Sequence, residues 1–407
     1  MTYDFKKDFD AVVVGGGVAG CAAALESARS GLKTVLLEKQ CAAGGLATSG
    51  LICIYLPLCD GNGRQVTFGI AEELLRNSIT MGPGGIPPRW REERNAAEPR
   101  RFRCTFSPAA FMLTLEKLLI DAGVEIWYDT RVCDAELIHG KVSSVSVVNE
   151  SGFGRITARC FIDASGTCVI AHRTGLPCIE NDNCMTVWAL EFSEGVERDL
   201  GKNLDMWNIT MSSFDGESRL CLSAERRAKF YPGLSDDELL AKTVSRGCSG
   251  KIVSDFVLES HRILREHYAG ADREKLFPVI LPGMPQLRKI RCIRGEYVLK
   301  DGDAGKHFPD SAGLIGDWRR PGCVWEIPFR TLRPAGGIAG LLCAGRCSSA
   351  SGDAWEASRV IPSAAMTGQI CGLAAALSVR TGREIPELDT TLLRDLLEQK
   401  GFVFHEN

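Results

Sequence analysis

The chain has 407 residues, 45% of them apolar and 24% charged, with a formal net charge of −3. That length exceeds one ordinary core and predicts two domains, and the near-neutral charge, with no basic run, excludes nucleic acid as a partner. Met1 to Asp10 is polar and charged and the apolar run after it ends at glycines, so no signal peptide is read and a cytoplasmic location is expected.

Phe9 to Val14 is a β-rich run that leads at once into Gly15-Gly16-Gly17-Val18-Ala19-Gly20. Cys21 to Arg29 is a strong helix former, Gly31 suits its C-terminal stop, and Lys33 to Glu38 reads as a second strand. Strand, GxGxxG, helix, strand and acid follow in the order of a dinucleotide-binding βαβ unit. Gly15 permits the tight turn, Gly17 lets the backbone approach a pyrophosphate, and Gly20 lets the helix pack close to the strand. The helix start, with Val18 and Ala19, offers free N–H groups and partial positive charge to phosphates. Glu38 is placed to accept hydrogen bonds from ribose hydroxyls, with Lys39 beside it.

Gly44-Gly45-Leu46-Ala47-Thr48 follows soon after that acid. In this second glycine pair the chain resembles FAD enzymes of the glutathione-reductase structural class. The resemblance implies that FAD is the cofactor and that the loop passes beside its flavin end. Met81 to Pro88 reads as a loop and Arg89 to Arg103 as a charge-rich stretch.

Ser107 and Pro108 have the N-cap and first-turn signature of a helix running to about Ala122, with Gly123 ending it and Val124 to Tyr128 as a strand. Val132–Ile138, Val142–Val148 and Ile156–Ile162 alternate as a three-stranded antiparallel meander that leads into Ala164-Ser165-Gly166. The same resemblance implies that the Val132 backbone contacts the adenine and that Ala164, Ser165 and Gly166 line the adenosine side.

After residue 335 come an apolar run, Leu341 to Ala344, and then Gly345-Arg346. Val360 to Val379 carries no charge over twenty residues, enough to span a bilayer. Its Pro, Ser, Thr, Gly and Gln content reads instead as a buried helix, so no membrane is expected. Small residues at Ala364, Ala365, Gly368 and Gly372 predict close approach to a sheet and a ligand. Here the chain resembles the bacterial FAD-dependent oxidoreductase family of the glutathione-reductase-2 fold group, which is related to the fumarate-reductase-like flavoproteins. The residues that carry this are Gly15 to Gly20 with Glu38, Gly44 to Gly50, Arg294 to Val298, Glu326 to Arg330, Leu342 to Cys347 and Ser358 to Pro362. The resemblance implies cofactor contacts at Gly345, Arg346, Arg359 and Val360. Relatives often carry Asp where this chain has Arg346, so Arg346 is read as a pyrophosphate partner and Asp353 as a ribityl partner.

The expected fold class is α/β. A Rossmann-like FAD-binding domain with a parallel sheet and meander spans 1–55, 105–178 and 335–407. It is interrupted by an excursion at 56–104 and a mixed α+β substrate domain at 179–334. Arg288, Arg291 and Arg294 alternate in an expected strand, and one of them is read as holding a substrate carboxylate. Arg291, Arg294 and His261 are the catalytic candidates, with His267 and His307 as further acid–base groups. Seventeen cysteines occur mostly singly in apolar segments and are expected as free thiols. There is no cysteine pair in the Gly44-Gly45 loop, no second GxGxxG and no metal or iron–sulfur spacing, so none of those chemistries is expected. Three functions fit: an FAD-dependent dehydrogenase or reductase, a single-component flavin monooxygenase, and a non-redox flavin-holding protein. The expected partners are a small-molecule substrate and an electron donor or acceptor that the sequence leaves open.

Overall fold

The structure, a computed structural model, describes residues 2–82, 102–198, 200–210 and 222–406. Its central sheet begins with β1 (Phe5–Val14), followed by helix α1 (Val18–Arg29) and β2 (Thr34–Leu37). Ala11 to Val14 pair in parallel with Thr34 to Leu37, which closes the βαβ unit. Gly31, at φ +90, supplies the left-handed turn out of α1. Helix α2 (Ile70–Ser78) and helix α3 (Pro108–Asp121) follow. Ser107 Oγ accepts the Ala110 N–H at 3.3 Å and so caps α3, with Pro108 in its first turn.

The chain then enters β3 (Glu125–Trp127), beside β2, and the meander β4 (Arg131–Ile138), β5 (Lys141–Asn149) and β6 (Gly152–Asp163). The sheet order is β3-β2-β1-β6-β5-β4. β6 lies parallel to β1 along its length. Its first half pairs with β5 and its last residues pair with β10 (Leu341–Cys343), so the sheet forks there. Alternate residues of β1 face opposite sides. Ala11 and Val13 join a core of helices, while Val12 and Val14 join a second core with Val145 and Val147 of the meander. Both faces are covered, as a parallel sheet requires.

Between β6 and β10 a second lobe forms around strands β7 (Thr186–Arg198), β8 (Gly201–Thr210) and β9 (Leu276–Ile280) and helix α4 (Gly250–Tyr268). The three strands make an antiparallel sheet in the order β8-β7-β9. This lobe has its own core, from Met185 and Val187 to Leu287 and Ile290.

Three sequence expectations change. The separate core ends near residue 290; the hairpin Ser311–Gly316 and Val324–Pro328, expected in the substrate domain, packs Ala312, Ile315, Trp325 and Ile327 into the main core. The first part of the excursion, residues 56–82, also belongs there, through Leu58, Ile70, Leu74 and Leu75. The strand expected from Arg288 to Leu299 is only Arg291–Ile293, paired with Cys178–Glu180. From 83 to 101 the expected loop and charge-rich stretch fall outside the described residues.

Helix α5 (Ile361–Thr381), uncharged as far as Val379, is almost wholly buried. Its main partner is α1 rather than the sheet alone. A Cβ added at Gly368 would lie 2.1 Å from the Ala19 carbonyl oxygen, and one at Gly372 would lie 2.5 Å from that of Ala23. The small residues are what let the two backbones meet.

Candidate functional site

Where β1, β2, β6 and β10 end, the glycine turns open a cleft of about 860 Å³ that the second lobe roofs. This is the crevice at the carboxyl ends of parallel strands. Gly15 turns at φ +99, and a Cβ there would lie 2.6 Å from the Ala164 carbonyl oxygen. Gly20 is packed harder still, its added Cβ 1.8 Å from Gly15 O. Gly17 differs: a Cβ there would meet nothing within 4 Å. Gly17 is the N-cap of α1 and offers no side-chain cap. The first helical bond runs from Cys21 N to Gly17 O at 2.8 Å, so the N–H groups of the first turn have no helix acceptor.

Glu38 follows β2 and is buried, with Oε2 accepting the Gly16 N–H at 2.6 Å and Oε1 accepting the Gln40 N–H at 2.9 Å. Burial raises its carboxyl pKa, against those two bonds. Each oxygen keeps acceptor capacity toward the cleft, where Lys39 and Val132 also stand. Gly44 N donates to Gly16 O at 2.7 Å, and a Cβ at Gly45 would lie 3.0 Å from Gly17 Cα. The second glycine pair therefore presses backbone to backbone against the first. Leu46 and Ala47 line the cleft; Thr48 does not, since its hydroxyl turns inward to Ala43 O.

On the opposite wall, Ser165 Oγ and N both donate to Asp163 Oδ1, which locks the Ala164-Ser165-Gly166 turn. Arg346 lies across Gly166 and donates to the Leu287 carbonyl of the second lobe. Burial presses its guanidinium down to about 10. Gly345 N donates to Thr367 Oγ1 at 3.0 Å, tying its turn to the start of α5, where Ile361 and Ala364 line the cleft. Val360 is the N-cap of α5 and stays out of the lining, as does Gly20. These observations fit a dinucleotide: a backbone cradle that a Cβ would fill, a buried carboxylate, and unmatched N–H donors beside guanidinium groups.

The remaining expectations divide. Arg291 lines the cleft, but its Nε donates to Glu180 Oε1 at 2.9 Å. Arg294 is exposed and outside the cleft. His261 lies on α4 away from it. His267 stacks on Trp207 at 4.1 Å and meets Glu191 Oε2 at 2.8 Å, a structural role in the second lobe. Asp353 is not a cleft residue, because Arg319 and Arg320 hold its carboxylate. Arg330 is likewise paired, with Asp310 at 2.9 Å.

A basic cluster stands where the second lobe meets the start of α5. Glu356 pairs through Oε1 with Lys289 at 2.7 Å and through Oε2 with Arg359. Burial alone would raise its carboxyl pKa; the Arg359 and Lys289 charges outweigh that and hold it at about 2. Arg359 lines the cleft. Arg288, close enough for Arg359 to repel it, has a buried Nε with no hydrogen-bond partner among the described residues, and its Nη2 makes a 3.4 Å contact with Thr210 Oγ1. Burial first, then the Arg359 charge, lowers its pKa to about 9. Three cations thus share one carboxylate.

Sequence reasoning missed His172, Arg131 and the start of α4, all of which line the cleft. Burial, then the Arg291 and Arg173 charges, lower the His172 pKa, so the ring is neutral near pH 7. The α4 start was legible from Ser249, whose Oγ accepts the Ile252 N–H as an N-cap. Nothing local marks His172.

Comparison with known proteins agrees with this geometry. The profile of a family described as FAD dependent oxidoreductase matches residues 10–186 and 251–397. Thioredoxin reductase of Ureaplasma parvum serovar 3 is 32% identical over 73 residues, 18% of this chain and 24% of that enzyme. The tRNA uridine 5-carboxymethylaminomethyl modification enzyme MnmG of Protochlamydia amoebophila is 35% identical over 107 residues, 24% of this chain and 17% of the enzyme. The chain thus spans a quarter or less of these relatives' lengths. A geranylgeranyl bacteriochlorophyll reductase-like protein of Thermoplasma acidophilum superposes at TM-score 0.49 and 14% identity, over 98% of this chain and 84% of that one. With the family profile covering most of the chain, this protein belongs to the FAD dependent oxidoreductase family.

Proposed function

We propose that the chain exchanges a hydride between a small carboxylate substrate and non-covalently held FAD. The observation that carries this reading is Arg288: it stands behind the cleft lining rather than in it, beside the cleft-lining Arg359, and its buried Nε has no hydrogen-bond partner among the described residues. A buried charge lacking a partner is costly, and a ligand carboxylate offers the paired acceptors a guanidinium fork matches. When bound, FAD supplies the redox chemistry.

The chain's own residues bind and orient. Gly17 leaves room for the pyrophosphate, and the first-turn N–H groups of α1, with Arg346, neutralise it. Glu38 receives the adenosine ribose hydroxyls. The second lobe supplies Leu287, Ile290 and Arg291 to the cleft wall.

The test is anaerobic mixing of the FAD-loaded protein with small carboxylates, hydroxy acids and amines, following the flavin band. At least one carboxylate should bleach it faster than NADH or NADPH. Arg288→Gln should leave flavin content unchanged and raise the half-saturating concentration about ten- to a hundredfold, the worth of one charge-assisted hydrogen bond. Rapid reduction by a nicotinamide only when a hydroxylatable aromatic is present would replace this reading with a monooxygenase.

A further inference from the structure

We infer that His307, Glu326 and His405 form a binding site for one divalent ion of the zinc class, apart from the flavin cleft. One ligand atom from each lies within 4.8 Å of the others. Glu326 is buried at the end of the 311–328 hairpin, and its Oε2 accepts the Phe308 N–H at 2.7 Å. Its Oε1 faces both imidazoles. His405 Nδ1 is 2.8 Å from that oxygen and His307 Nδ1 is 3.7 Å from it, the latter too long for a hydrogen bond. The two rings stand 4.2 Å apart. Ligand atoms around a tetrahedral zinc ion are separated by about 3.4 Å, so closing the site from a spread of 4.8 Å needs movements of up to about 1.4 Å. His307 is exposed and free to make them. Two imidazoles and one carboxylate favour zinc, nickel or copper over magnesium or calcium.

The proton inventory names an opponent. Arg394 Nη2 is 2.8 Å from His405 Nε2 and can only donate, so the ring is the Nδ1–H tautomer. An ion on Nδ1 displaces that proton to Nε2, so the ring keeps one proton and Arg394 must turn away. Its Nη1 remains on Pro309 O at 2.7 Å and its guanidinium over Phe404 at 4.6 Å. Arg394 therefore opposes the ion twice, by its charge and by occupying Nε2.

The ion would fasten the C-terminal segment, already held by Ser311 Oγ donating to Phe404 O at 2.7 Å, to the hairpin under it. Calorimetric titration of FAD-loaded protein with zinc chloride tests this, alongside thermal unfolding with and without zinc. One zinc per chain should bind at this site and raise the unfolding midpoint, and magnesium should not. His307→Ala and His405→Ala should each weaken that binding about a hundredfold, as much as the larger losses seen when even outer-shell partners go. Arg394→Gln should tighten it, because the amide oxygen accepts from Nε2–H. Zinc that binds wild type and all three variants alike would belong to the thiols and overturn the assignment, as would no zinc binding at all.

Discussion

A Cβ added to Gly17 touches nothing within 4 Å, whereas one added to Gly20 lies 1.8 Å from Gly15 O. The motif's glycines therefore fail differently. Gly17→Val should keep the far-ultraviolet spectrum and unfolding midpoint of the apoprotein while abolishing FAD binding. Gly20→Val should lower the midpoint or prevent folding, since backbone rather than a mobile side chain meets the new atoms. A Gly17→Val protein that kept stoichiometric flavin would show the turn to be structural only. Glu356 gives a pH prediction. Its carboxyl is held at about 2, below the ordinary 4.5, so its stabilisation is complete above pH 4.5 and lost as pH falls through 2. Glu356→Gln should be destabilising at pH 6, because Lys289 and Arg359 lose their partner. The gap from wild type should narrow by pH 2.5 in denaturant titrations. A constant gap would mean the carboxylate's charge contributes nothing. The glycine roles were legible because each is a local backbone requirement. The charge of Glu356 was not, since Lys289 lies 67 positions away in the chain.

Helix α5 shows how far one element can be read in isolation. Its lack of charge over twenty residues pointed to burial, and its glycines to close packing. What the pattern could not name was the surface met, because an apolar helix is equally suited to a sheet, a helix or lipid. With Gly372 set against Ala23 O at 2.5 Å, Gly372→Val should push α5 from α1. The cost should be about 1–3 kcal/mol or more, read as a lower unfolding midpoint. An unchanged midpoint would mean the two helices are not in contact as described. The second lobe was less readable for a related reason. Strand β9 is apolar yet largely exposed, with Phe277, Val279 and Ile280 each more than a third accessible. Hydrophobicity there does not mark the core, so period and burial part company.

The cleft is lined from both lobes, with Gly15, Gly17 and Glu38 on one side and Gly283, Leu287 and Ile290 on the other. A ligand touching both should couple their unfolding. Adding FAD to the apoprotein should raise the calorimetric unfolding temperature of both lobes and merge them into one transition. A shift confined to one transition would place FAD against one lobe only. The parts of the phosphate cradle lie between Gly15 and Glu38, and each answers a requirement of its own neighbours: a positive φ, an uncapped helix start, a strand end. The sequence by itself therefore determined the cofactor fold and the family. Only the tertiary structure decided which charges are free. Arg291 finds Glu180 across 111 positions, Asp353 is taken by Arg319 across 34, and Arg288 Nε is left without a hydrogen-bond partner among the described residues. His307, Glu326 and His405 meet for the same reason. Backbone demands are set by adjacent residues, but pairing between charges depends on distance through space, which chain order does not contain.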